Sequence, residues 1–414
     1  MKNAKILFYN EKVIDKINIL LISILPLTLI SRSALINIFS AMIAIFFIFK
    51  IIKEKENKFL KDKVFYLLIF FWSSLIINLF FTTDFNSSFF RAAGFGKFIL
   101  IVFAIKYYLN FKNYKFENFI YFIWFLIFAI VSFDLFFEFL YGHNLIGYQS
   151  YIPGRLSGFL NEELKIGHYY YAFILISLCF FYKNNKNYIT FLTLSFLFIF
   201  ISFAIGERSN FLKAIIIFCI FFFTYEKKKI FTKFFLLLTF LTIIIFTTIK
   251  NESYKIRLWG QFLKPITETV NITDYISKSH YGAHYDTAIK IFYNYPFFGA
   301  GLKNYRNESI KEIYYSGDKS VDTRRWATHP HQIHFEFLSE TGIFGYSSFL
   351  IFVIISLILS IRSYLKNKNI YQLSAILFII VSCLPLLPSG SFFTTYGATI
   401  FWINFGVMIA YNEK

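Results

Sequence analysis

Apolar residues gather in long blocks along this chain, near positions 14–31, 33–52, 64–82, 93–110, 118–141, 168–182, 187–205, 211–225, 230–248, 343–361, 370–388 and 391–411, with short polar breaks between most of them. Each block approaches the roughly 20 residues that an α-helix needs to cross the hydrocarbon of a bilayer. An unpaired backbone group in lipid costs several kcal/mol, so a spanning segment must be helical unless strands close into a barrel. No run shows the alternation of barrel strands. The pattern predicts an all-α integral membrane protein with about twelve transmembrane helices. The first block lacks a small-x-small cleavage site and reads as a retained span. Residues 1–248 then carry helices one to nine, 249–342 form an outer loop domain with interfacial helices, and 343–414 carry the last three.

The polar breaks give an orientation. Lys2, Lys5 and Lys12, the run from Lys50 to Lys63, that from Lys106 to Lys115, Lys183 with Lys186, Lys227 to Lys229, and Arg362 with Lys366 and Lys368 all fall in alternate connections. Positive charge marks the cytoplasmic side, so both termini are expected there. Two outer connections exceed a turn, 142–167 and 249–330. Long loops that are not linkers are usually functional. Short helices are predicted over 285–293 and 303–315, separated by the turn formers Pro296, Gly299 and Gly301. All seven histidines, His143, His168, His280, His284, His329, His331 and His334, fall on or beside the outer face. Histidine is the side chain best suited to proton transfer near neutral pH.

Composition sharpens this picture at a few points. With 57% hydrophobic and 16% charged residues, a soluble core cannot account for so many long blocks. The net charge of +18 would suit nucleic acid, but its placement traces membrane topology, so no nucleic-acid partner is expected. Cys179, Cys219 and Cys383 each sit inside an apolar block without a CxxC spacing and read as packing residues. No P-loop, GxGxxG after a strand, HExxH, GxSxG or DxD-like motif stands in a suitable context. Any reaction must then draw on an activated membrane substrate or a gradient.

The densest polar constellation runs from Thr328 through His329, Pro330, His331, Gln332 and His334 to Glu336 and Glu340, ending at Gly342 and Gly345. Pro330 suits a first helical turn and Gly342 a helix end, which places His331 in that first turn. The helix dipole there disfavours imidazolium and favours a nearby anion such as a diphosphate. Three readings stay open: acid–base work by His331, a metal site on His329, His331 and His334, and a polar helix cap. A second, cationic set lies at the outer ends of the spans: Arg91 and Lys97, Arg155, and Arg208 with Lys213. Cations at such depth face a cavity or a partner, or snorkel to headgroups. Asp134 and Glu138, one helical turn apart, are candidate partners. Arginine in particular matches diphosphate oxygens in a bidentate way.

The string His331-Gln332, nine residues, then Gly342-x-x-Gly345 resembles the signature of the O-antigen ligase and polymerase superfamily. Glu340, the segment from Tyr295 to Tyr305, Arg155-Leu156-Ser157-Gly158 and Gly206-Glu207-Arg208-Ser209 resemble the family's wording too. The resemblance implies a GT-C-like, metal-independent glycosyltransferase without a cofactor, in the bacterial inner (cytoplasmic) membrane, with one large periplasmic loop between helices 9 and 10. It implies transfer of a glycan from undecaprenyl diphosphate to lipid A–core, with His331 as base and Arg208 and Arg155 on the diphosphate, Arg91 and Lys97 being further candidates. His284, His329, His334 and Glu340 would support the loop. Members often carry an arginine where this chain has His284, with Arg257 and Arg306 some distance away, and Asn is commoner than Gln332. The ligase is favoured by the position of the large loop. The related polymerase or a protein-glycosylating relative is the alternative, and a transporter or flippase, which predicts two similar six-span halves, is the reading from another class.

Overall fold

The computed structural model describes residues 12–412 apart from 32, 56–57, 111–113, 186, 225–229, 265–266, 268–278 and 318–321. Lys2, Lys5, Lys186 and Lys227 to Lys229 of the charge pattern lie outside these residues. The described chain is helical, with no strand among the described residues. Its helices are α1 (Val13–Leu29), α2 (Ser33–Glu54), α3 (Lys63–Asn78), α4 (Phe85–Gly94), α5 (Gly96–Leu109), α6 (Tyr114–Tyr141), α7 (Ile166–Asn185), α8 (Tyr188–Ala204), α9 (Arg208–Thr224), α10 (Ile230–Lys250), α11 (Glu252–Lys255), which runs into a π-helical stretch Ile256–Leu263, α12 (His280–Asn294), α13 (Tyr305–Glu308), α14 (Ile333–Asn367), α15 (Ile370–Ser382) and α16 (Thr395–Ala410).

Each apolar block overlaps at least one of these helices. Four stretches, Ser33–Glu54, Phe85–Leu109, Phe116–Tyr141 and Ile333–Asn367, are long and apolar enough to cross a membrane, and the other apolar helices are shorter. Helix starts carry polar side chains that accept the first orphan N–H groups, as with Asp62, Asn187, Asn369 and Thr394. One end of the bundle is tied by ion pairs beside the lysine-rich connections, of which Lys50–Asp15 is buried. Lys50 reaches Asp15 at 2.7 Å and Glu54 at 2.6 Å, and Lys183 reaches Glu117 at 3.3 Å.

The opposite end is irregular and builds the site. α14 is not one straight helix: Gly342 adopts φ 62°, ψ −169° and splits it into a short arm and a long arm. A break of this kind frees carbonyls before it and N–H groups after it, which need partners. Residues 296–301 supply them. Ala300 and Gly301 donate to the carbonyls of Ser339 and Glu340, both at 2.9 Å, while Ile343 and Phe344 donate to those of Pro296 and Phe297 at 2.8 and 3.1 Å. A Cβ on Gly342 would run into this strap at Phe297 and Gly299, so both the positive φ and the close approach require glycine. The turn predicted at Pro296, Gly299 and Gly301 therefore buttresses the helix break. Phe337 of the short arm stacks on Phe349 at 4.1 Å, fixing that arm to the bundle core.

Several predicted boundaries change. The helix predicted at 285–293 extends over His280–Asn294, and 303–315 contains only Tyr305–Glu308 and a 3₁₀ turn at Glu312–Tyr314. α15 stops at Ser382 and α16 begins at Thr395, so the apolar residues 383–394 are an irregular connection. Leu384-Pro385-Leu386-Leu387-Pro388 is apolar enough to extend a span by composition, but two prolines so placed end the helix.

Candidate active site

Two short motifs close on each other to form a cationic shelf. Glu138, at the outer end of α6, accepts hydrogen bonds from the N–H groups of Ser157 at 3.0 Å and Gly158 at 2.7 Å. Asp134 accepts one from Leu145 N–H at 3.0 Å. These carboxylates hold the 142–167 connection and are not arginine partners as predicted. The partner of Arg155 is Glu207, whose Oε1 lies 3.0 Å from Arg155 Nη2. Leu156 N–H donates to the Ile205 carbonyl at 3.1 Å, directly knitting the Arg155–Gly158 and Gly206–Ser209 motifs. Gly206, at φ +75°, sits where any Cβ would strike the Gly154 carbonyl.

Arg257 completes the shelf from the π-helical stretch after α11. Its Nη2 donates to the Gly206 carbonyl at 3.0 Å, its own carbonyl accepts from Arg208 Nη1 at 3.2 Å, and its Nε is buried without a hydrogen-bond partner. Burial, with the Arg155 and Arg208 charges beside it, pulls the Arg257 guanidinium below its usual value. Three arginines far apart in sequence thus crowd one another, an arrangement that an oxyanion would relieve.

His331 faces this shelf across a cavity of about 1350 Å³. It is not in the first helical turn. Gln332 is the N-cap of α14, its side chain accepting from His334 N–H at 2.7 Å and Phe335 N–H at 3.1 Å, so His331 lies just before the cap, in the left-handed region at φ 55°. For a non-glycine residue this is uncommon and is held by context. The context is Ser389, whose N–H donates to the His331 carbonyl at 2.7 Å. The ring is packed by His329, His284 and Tyr281, with centroids at 4.1, 5.3 and 5.9 Å. Its nitrogens have no hydrogen-bond partner among the described residues. Burial and then His284 hold its pKa down at about 4, so the ring is neutral near pH 7 and able to accept a proton.

The other candidates separate by position. His329 lines the same cavity; its Nδ1 pairs with Thr328 Oγ1 at 2.9 Å and its Nε2 is buried and unpaired. His284 backs the His331 ring from α12, with Nδ1 3.3 Å from the Arg325 carbonyl. His334 turns away: Nε2 lies 2.8 Å from the Cys383 carbonyl and Nδ1 3.0 Å from the Tyr346 hydroxyl. The three histidines of the HxHxxH spacing therefore do not converge. Glu340 accepts from Lys303 N–H at 2.7 Å and Tyr305 N–H at 3.3 Å, inside the strap. Arg91 lines the large cavity, whereas Lys97 lines a smaller one beside it.

The 383–391 connection is the part that sequence reasoning missed. Its Pro388 carbonyl accepts from Ser209 Oγ at 2.6 Å and Lys213 Nζ at 2.9 Å, one residue before Ser389 grips His331. Glu336 accepts from Phe392 N–H at 2.7 Å and from Ser391 Oγ. One loop thereby sets the distance between the arginine shelf and His331. Among the described residues lining the cavity, Arg91, Arg155, Lys165, Arg208, Arg257 and Arg324 face a single carboxylate, Glu207. Such a cavity attracts anions and stabilises charge that develops on a leaving group.

With this geometry in view, residues 191–350 match the family model described as O-antigen ligase. Over that stretch the chain is similar to the O-antigen ligase family. The matched stretch contains Arg208, Arg257 and His331, while Arg91, Lys97 and Arg155 lie before it. No curated protein matches the chain.

Proposed function

We propose that this protein is an O-antigen ligase: it transfers a glycan from undecaprenyl diphosphate to a hydroxyl of lipid A–core at the periplasmic face of the bacterial inner membrane, with both termini in the cytoplasm. The observation that carries the reading is the single cavity in which a neutral, strained His331 faces Arg155, Arg208 and Arg257. In the reaction the acceptor oxygen bonds to the anomeric carbon of the glycan as the bond from that carbon to the diphosphate oxygen breaks. The acceptor proton passes to the free ring nitrogen of His331. The electron pair leaves with the diphosphate, whose charge the three guanidinium groups offset. No side chain needs to become covalently attached.

The ligase reading is favoured over a polymerase by the 142–167 connection. Asn144 folds it back on itself, donating to the Gly158 carbonyl at 2.9 Å and accepting from Tyr148 N–H at 2.8 Å. This connection serves the arginine shelf and leaves no second loop domain.

The test is His331→Ala in the native host, with protein level checked, comparing surface lipopolysaccharide with the undecaprenyl-linked glycan pool. Loss of glycan from lipid A–core with accumulation of long lipid-linked polymer is the expected result. Accumulation of single repeat units would select a polymerase. Unchanged pools at normal expression would remove His331 from catalysis and the reading with it.

A further inference from the structure

A second cavity, of about 350 Å³, adjoins the first and shares Asn37, Arg91, Phe392, Thr394 and Thr395 with it. Arg91, Lys97 and Lys303 line it, and no carboxylate does among the described residues. Arg91 has no hydrogen bond or ion pair with a described residue. Lys97 donates to Asn37 Oδ1 at 2.7 Å and lies over the Phe98 ring, which leaves its charge uncompensated. Lys303 is held at φ 69°, in the left-handed region, by its N–H on Glu340. Glu340 and Glu336 act on Arg91 from a distance, and Glu340 on Lys303, but these carboxylates are taken up by the N–H groups of Lys303, Tyr305 and Phe392 and pair directly with none of the three cations. Half-buried cations with no directly paired anion are costly, and a visiting oxyanion would offset that cost.

The surroundings say what carries that oxyanion. The cavity wall at α4 includes Phe90, which is 78% exposed, and Phe85 and Phe89 on the same helix are 53% and 41% exposed. Phe80 just before it is 82% exposed. An exposed aromatic band beside a cation cluster is the signature of a surface at headgroup depth, with acyl chains on one side and phosphates at its level. Phe95, Phe98 and Trp402 also line the cavity and are apolar.

We infer that this second cavity is the docking site for a phosphate of the lipid acceptor, held by Arg91, Lys97 and Lys303 while the acceptor hydroxyl reaches His331 in the adjoining cavity. This rests on the proposed transfer reaction: Arg155, Arg208 and Arg257 occupy the donor's diphosphate, and the second anion belongs to the second substrate. Lys97 thereby moves from the donor to the acceptor side of the site.

The experiment uses the full-length protein in zwitterionic bilayers, with purified lipid-linked glycan as donor and either intact or phosphatase-treated lipid acceptor. Expected are a KM for the phosphate-free acceptor about tenfold above that for the intact one, and a similar rise for intact acceptor in Arg91→Gln and Lys97→Gln, from the loss of one charge-assisted contact. The donor KM stays unchanged, the two variants no longer distinguish the acceptors, and Lys97→Arg restores discrimination. Equal use of both acceptors by the wild type, or a raised donor KM in the variants, overturns the inference. So does a wild-type requirement for added anionic phospholipid that the variants lose at unchanged acceptor KM, which would assign the cavity to a bulk lipid headgroup. His331→Ala in the same bilayers separates the two proposals: if it still transfers glycan, the reaction itself is misassigned, and if it is inactive, a failure above concerns the second cavity alone.

Discussion

The backbone N–H of Ser389 donates to the carbonyl of His331 at 2.7 Å, and His331 is left-handed at φ 55°. Holding a non-glycine residue in this region costs on the order of 1–3 kcal/mol, and the Ser389 contact is one of the few that hold it. Ser389→Pro removes the donor. We expect kcat to fall roughly 10- to 100-fold with the donor KM unchanged, since a misplaced base weakens the transition state and not substrate binding. Ser389→Ala retains the N–H and should stay near wild type. Equal rates in Ser389→Pro and wild type would show that the left-handed backbone does not aim the ring.

The pH dependence of transfer follows from His331. Its pKa is held at about 4, so the base is neutral above that pH and protonated below it. The rate should be flat from pH 8 to about pH 5 and halve near pH 4 in a pH–rate profile. An imidazole in its ordinary state would halve the rate near pH 6.5 instead. A midpoint there would mean that the ring is hydrated and that the packing by His329 and His284 does not desolvate it.

How far the sequence spoke for itself depended on the range of each interaction. The apolar blocks were legible because helix formation in lipid is a local requirement, and every block overlaps a helix. Gly342 was legible as a helix break because its backbone conformation is local too. The alliance of Arg257 with Arg208 was not, because it joins residues 49 apart through a π-helical stretch that no periodicity announces. Nor were the roles of Asp134 and Glu138. Their spacing showed that they share a helix face, but not that the loop's own N–H groups would outcompete arginine for them. Pro330 suggests a helix start that would put His331 in the first turn, but Gln332 has the side chain that caps the helix and leaves His331 before it. The 383–391 loop carried its own signal in Pro385 and Pro388, masked by the leucines between them.

Gly206 offers a sharp steric test. Any Cβ there meets the Gly154 carbonyl, and its φ of +75° is unfavourable to other residues. Gly206→Ala should part the two motifs, raise the donor KM at least tenfold and lower thermal stability by about 1–3 kcal/mol, read as a melting shift in detergent. Gly260→Ala, where nothing lies within 4 Å of the added carbon, is the control and should change neither. A tolerated Gly206→Ala would mean the shelf is not built on this contact.

Glu138 tests whether the shelf is aimed from beneath. It is buried and accepts from Ser157 N–H, Ser157 Oγ and Gly158 N–H, bonds of the charged kind that contribute about 1.5–3 kcal/mol each. Glu138→Gln preserves the shape but replaces one acceptor oxygen with a donor facing an N–H group. The loop should loosen and Arg155 drift from its place beside Glu207, raising the donor KM severalfold while the acceptor KM holds. The decisive measurement is a double-mutant cycle on donor KM with Arg155→Ala. If Glu138 acts through Arg155, adding Glu138→Gln to Arg155→Ala costs little more. Full additivity would mean that Glu138 serves the donor site by another route, through Leu156 and the Ile205 carbonyl it binds.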